Sequence, residues 1–398
     1  MSQPVPSSPK PVSARAARRT GKPFFGAIES VIVEDPVDVE FDGAISREHA
    51  FAAWVWMTRD LAPDLVDPEA DPDDPATLAA LELLLPELLT RARNAVAAAG
   101  TSHDAGRKLR TQLGGEAQWR ALPVVLNALK CRNLLEKARA FGRATNGMPD
   151  EAALAAALQS MPLSDPGIAA LLMQAALGQI ANPSRLVTAT IRLAGSPAED
   201  AIVRIGFAPL VDAILAHAQN QIPLLLQIGP FADIDLTCRA VDRFHRLIRA
   251  VQGYVELNRG GRWMMVVSSL TKQVSSRVEP RLREVVMDVN KSLRRGREGN
   301  DRLDSDQLLA ALNGVYLMTA VRDARDSLAL NALFDQTWMQ VGEALEIHIQ
   351  RNLEILRQHP EDRNTSERLD ASIKMAELRF NAEYAEVLRR AKDAAEKR

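Results

Sequence analysis

The sequence predicts an all-α protein, and three observations carry that prediction. The chain is 46% hydrophobic but only 5% aromatic, with alanine and leucine abundant. Long stretches repeat apolar residues at spacings of three and four, the period of a helix face. No long stretch alternates apolar with polar residues between turn signals, as sheet strands would. At 398 residues the chain exceeds what one core usually serves, so two structural units plus tails are expected.

Residues 1–28 hold Lys10, Arg15, Arg18, Arg19 and Lys22, no acids, and many prolines and serines. Such a composition buries too little apolar surface to fold, so a disordered basic tail is expected. The Arg18-Arg19 pair has no apolar run behind it, which argues against an export signal. Residues 29–75 reverse the sign, with fourteen acids against Arg47 and Arg59, a net of −12. This segment is expected to be mostly extended with one short helix. Val37, Val39 and Phe41 alternate with Asp38, Glu40 and Asp42 as in an extended edge. Ser46 then opens a helix of about fourteen residues whose Trp54 and Trp56 pack onto the main body.

Residues 76–231 read as a unit of short helices. The first carries Leu81, Leu84, Leu85, Leu88, Ala92 and Val96 on one face. The run Gln118 to Thr145 contains Pro123 near its start, a first turn or a kink. Asp165-Pro166 and Asn182-Pro183 set a capping side chain before a proline, and Ser196-Pro197-Ala198-Glu199 has the form of a capping box. Antiparallel pairs, even a solenoid-like stack, suit such spacing, although no residue template repeats. The uncharged run Pro166 to Ser184 reads as a buried core helix: it contains Gln174, Gln179 and Asn182, unlike a membrane span.

After Pro230 the expected helices lengthen into a bundle over 232–398: 232 to 258, 261 to 295, 304 to 332, 334 to 358 and 366 to 397. On the last, Leu369, Ile373, Ala376, Phe380, Val387 and Ala391 form a near-heptad stripe. That stripe is either an internal face or the seam of a homodimer.

Chemistry leaves few marks. Cys131 and Cys238 lie too far apart for a C-x-x-C motif and suit a reducing cytoplasm. There is no nucleophile elbow and no phosphate loop, and no cofactor or metal is implied. Asp242-x-x-His245 shares a helix face but lacks the second pair that a di-iron site wants. In Asn258-Arg259-Gly260-Gly261-Arg262 the two glycines suit either an anion-binding nest or a helix stop and restart.

The region 232–298 carries fourteen basic residues against eight acidic ones. Arg239, Arg243, Arg246 and Arg249 share one side of a helix, and Lys291, Arg294, Arg295 and Arg297 follow at a helix end. A stripe of this kind neutralises phosphates of a nucleic acid or an anionic membrane surface, or else pairs with acids elsewhere in the chain.

Three functions remain open at this level. The leading expectation is a cytoplasmic interaction protein, whether scaffold, adaptor or regulator, whose partner is another protein. Its candidate contacts are Arg239, Arg243, Arg246, Arg249, Arg259, Gly260, Gly261 and Arg262. The alternatives are a binder of nucleic acid or anionic membrane through 232–298, and a helical enzyme around Asp242 and His245.

Overall fold

The computed structural model describes residues 23–67, 74–162, 164–226, 233–295 and 303–397. The expectation of a disordered tail therefore falls, over residues 1–22, outside the described residues. Among those described there are seventeen α-helices and one pair of two-residue strands, which makes the chain all-α. None of the described helices is long and apolar enough to cross a membrane. The chain divides into two compact units, residues 1–181 and 182–398. The lengthening of helices near Pro230 is thus a change of texture inside the second unit.

The first unit opens with helix α1 (Pro23–Ile28), a single 3-10 turn and strand β1 (Ile32–Val33). β1 pairs in parallel with β2 (Ile45–Ser46). The stretch between them forms no strand, although its burial follows the predicted alternation: Phe41 is buried while Asp38, Glu40 and Asp42 are exposed. Two residues per strand is all the pairing there is, because Gly43 turns the chain with φ +82° and lies against the backbone of Ala170 and Leu171. Only glycine fits both the positive φ and the close approach.

Helix α2 (Arg47–Trp56) continues through a π turn, Met57–Leu61. Ser46 caps it as expected, accepting from the His49 amide at 3.4 Å. Asp35 adds a second cap, accepting from the Glu48 amide at 2.9 Å and from Ser46 Oγ at 2.7 Å. A carboxylate at a helix N-terminus also meets the dipole favourably. Trp54, Trp56 and Met57 sink into the core of this unit.

The unit continues with α3 (Pro75–Thr101), α4 (His103–Leu113), α5 (Glu116–Lys130), α6 (Arg132–Thr145), the short α7 (Glu151–Gln159) and α8 (Pro166–Leu177), of which α4 and α5 pack on α2. The run 118–145 is two helices: the chain turns at Cys131, and Pro123 sits inside α5 rather than at its start. On α8 every residue from Ala169 to Leu177 is buried, as a core helix requires. Packing joins elements remote in sequence, α2 to α5 and α6 to α8.

In the second unit, helices α9 (Ser184–Ala194), α10 (Glu199–Arg204) and α11 (Ala208–Gln219) precede α12 (Ile234–Gln252), α13 (Arg262–Leu293), α14 (Ser305–Ala324), α15 (Asn331–Gln358), α16 (Arg363–Arg379) and α17 (Ala382–Glu396). α9 and α11 pack on α12, which places the division of units ahead of them. The predicted capping box at Ser196 to Glu199 does not form. Ala198 caps α10 without a side-chain bond, Ser196 Oγ accepts from Ala198, and the Glu199 carboxylate turns to another loop.

The C-terminal helix expected over 366–397 is broken at Phe380, and Asn381 caps α17 by accepting from the Tyr384 amide at 2.7 Å. α17 folds back on α16, with Lys392 reaching Asp370 at 2.5 Å. Leu369, Ile373 and Ala376 are therefore spent inside the unit, whereas Val387 is 61% exposed. The break sits where Arg379 turns inward: its Nε donates to the Trp338 carbonyl at 2.7 Å and its guanidinium lies 4.3 Å from the Trp338 ring. That cation–π and hydrogen-bonded contact holds the end of α16 against α15.

Helices α6 and α8 approach closely at Gly142, where an added Cβ would lie 2.2 Å from the Ala176 carbonyl oxygen. Gly142→Ala is expected to destabilise this unit by about 1–3 kcal/mol through overpacking. Gly147→Ala, whose Cβ would meet nothing nearer than 3.7 Å, serves as the control in thermal melting. Equal melting temperatures for the two variants would contradict the crossing.

Candidate functional site

The sequence-predicted residues lie on two parts of the second unit. On α12 the arginine stripe is largely matched by its own helix. Arg239 pairs with Asp235, and Arg246 with Asp242 at 2.8 Å, each one turn earlier. Arg243 is half-buried, and burial, helped by the neighbouring Arg246, lowers its pKa. Arg249 is exposed at the helix end. Two of the four arginines of the stripe thus have a carboxylate one turn away. Of the second cluster, Lys291, Arg294 and Arg295 are exposed, Arg295 lying 3.5 Å from Asp362; Arg297 lies outside the described residues.

The glycine loop after α12 is a stop and restart, and its would-be anion is already supplied by the chain. Gly260 takes φ +73°. The Asn258 amide donates to Glu199 at 3.0 Å and its side chain to Asp200 at 3.2 Å, while the Gly261 amide closes a turn onto the Asn258 carbonyl. Arg262 and Trp263 both donate to the buried carboxylate of Asp212, at 2.7 and 2.8 Å. Arg259 is exposed.

Asp242 and His245 do share a shallow hollow of about 300 Å³ between α12 and α14, with Cys238, Tyr316 and Thr319. His245 Nδ1 is 3.0 Å from Ser327 Oγ, and burial, then Arg249, lowers its pKa. Burial pushes the Cys238 thiol up to about 11, with Asp235 adding to the effect, whereas a nucleophilic cysteine needs its thiolate near neutral pH. Among the described residues no three His, Cys, Asp or Glu side chains gather as metal ligands.

A larger concavity, which the sequence reading missed, lies on the first unit. It encloses about 1130 Å³ between the β1–β2 segment with the start of α2 and the first half of α5. Val33, Phe41 and Ile45, all buried, form an apolar floor. On α5, Ala117, Ala121 and Val124 follow at helical spacing and make the opposite wall. Five carboxylates rim it, Asp35, Glu40, Asp42, Glu48 and Glu116, against Arg120 and His49.

The rim is held by bonds within the unit. Gln118 donates to Glu48 at 3.3 Å, bridging the two walls, and Arg120 pairs with Glu116 at 3.3 Å. Beneath it Arg47 ties Glu29 and Glu34 at 2.6 and 2.8 Å. Burial opposes the charge on Arg47, but its hydrogen bonds to Glu34 and Glu29 outweigh this and raise its pKa above the ordinary arginine value. The groove therefore offers a rigid apolar floor under a strongly negative rim, suited to a cationic segment with small apolar side chains. The one sequence signal for it was the alternation at Val37 to Asp42, which marks a wall but not what faces it.

No family model, no curated protein and no solved structure matches this chain.

Two outcomes follow for the α12 hollow. Cys238 is expected to react with iodoacetamide at pH 8 far more slowly in the native chain than in the urea-unfolded one; comparable rates, read by mass spectrometry, would contradict its burial. His245, with its pKa lowered in the folded state, binds its proton less readily there than when unfolded, so stability falls as pH drops from the ordinary histidine value of 6.5 through the lowered folded value. His245→Gln should make that part of the urea-midpoint profile shallower, leaving the contribution of His348, whose pKa burial also lowers.

Proposed function

We propose that this chain is a cytoplasmic interaction protein, a scaffold or adaptor, that holds another protein by a basic, small-apolar segment in the acidic groove of its first unit. The observation that supports this reading is the groove itself: some 1130 Å³ with an apolar floor and five carboxylates at its rim. An enzymatic reading draws less support, because burial holds the Cys238 thiol of the α12 hollow away from its reactive thiolate. A nucleic-acid reading draws less as well, because Arg239 and Arg246 are paired along their own helix.

Recognition in such a groove divides the work. Apolar burial against Val33, Phe41 and Ile45 contributes roughly 25 cal/mol for each Å² removed from water. The rim carboxylates steer cationic partners and reject acidic ones, and this part weakens with salt. Each exposed ion pair adds only about 0.2–1 kcal/mol, so several are needed.

The double variant Asp42→Lys with Glu48→Gln alters the rim and leaves the floor intact. Cross-linked capture in the source cell, with wild type and this variant as baits, is expected to lose the partner only with the variant. The lost partner's cross-linked segment should be rich in Lys and Arg. An identical captured set, with both baits melting alike, would sink the reading.

A further inference from the structure

We infer that the acidic groove of the first unit also takes the chain's own N-terminal arm, residues 1–22, docked in cis as a built-in competitor of the partner segment. The inference rests on the reading of the groove as a site for basic segments. The arm has the required chemistry: Lys10, Arg15, Arg18, Arg19 and Lys22 without one acid, interleaved with Val12, Ala14, Ala16 and Ala17. Small side chains between cations match an apolar floor under a carboxylate rim. Pro4, Pro6, Pro9 and Pro11 lower the conformational entropy that an extended segment loses on binding.

The tether makes this match count. The arm joins the unit at Pro23, ten positions before Val33 in the groove floor, and α1 packs against α5, which forms the opposite wall. At about 3.1 Å per residue an extended arm of this length spans roughly 70 Å, so reach does not limit it. Covalent attachment at this distance supplies an effective concentration on the order of millimolar. Ion pairs that hold a free peptide only weakly therefore suffice to keep the groove occupied in cis. A partner segment must outcompete the arm, which sets a threshold for binding, and salt weakens both contacts with the rim.

The test uses the full chain and a fluorescent synthetic peptide of residues 1–22 as probe. It is titrated into wild type and into a chain carrying Lys10→Gln, Arg15→Gln, Arg18→Gln, Arg19→Gln and Lys22→Gln. The neutralised-arm chain is expected to bind the probe at least ten times more tightly than wild type, with affinity falling as NaCl rises. Adding Asp42→Lys and Glu48→Gln to it should abolish binding without changing its melting temperature. Equal affinity for wild type and the neutralised-arm chain would overturn the arm as occupant while leaving the groove as a site for basic segments. No binding to the folded neutralised-arm chain would overturn the groove reading too. A wild-type dimer by light scattering that becomes monomeric when the arm is neutralised would place the arm in trans and overturn docking in cis.

Discussion

The first unit depends on the close approach of Gly43 to α8. A Cβ at this position would lie 2.4 Å from the Ala170 carbonyl carbon, and the backbone there takes φ +82°. With the turn pressed onto α8, β1 and β2 pair for two residues, and Asp35 comes within bonding distance of Ser46 and of the first turn of α2. The N-terminus of α2 is thereby satisfied by two acceptors, and Trp54 and Trp56 are delivered to the core. The acidic segment thus becomes one rigid wall of a groove, with its carboxylates outward because its apolar residues are committed to the floor.

In the second unit, too, several arginines meet carboxylates: Arg239 with Asp235, Arg246 with Asp242, Arg262 with Asp212. Arg379 is an exception in kind, since it is satisfied by a backbone carbonyl and the face of Trp338. Burial lowers its pKa, partly opposed by Glu346. Pairing of this sort makes a helical body with a mixed surface.

Much of the architecture was legible in the sequence. Periodic apolar faces identified the helices, Ser46 and Asp165 are the caps they resemble, and the burial of α8 followed from an uncharged run too polar for lipid. Other local signals were overridden. Ser196 to Glu199 has the letters of a capping box, but Glu199 gains more by accepting from the Asn258 amide 59 residues away. The C-terminal heptad pattern ran through Phe380 without a break because periodicity does not register Arg379 reaching back to Trp338.

By itself, then, the sequence determined the class of fold, most helix positions, and the separation of a basic arm from an acidic segment. Those properties are local, set by spacing, capping chemistry and composition. Tertiary structure alone decided that the units divide at Ala181 and that α5 faces the acidic segment across a groove. Each depends on contacts between residues far apart in the chain, such as Gln118 with Glu48 and Gly43 with Ala170, and no local pattern encodes which distant surface a helix face will meet.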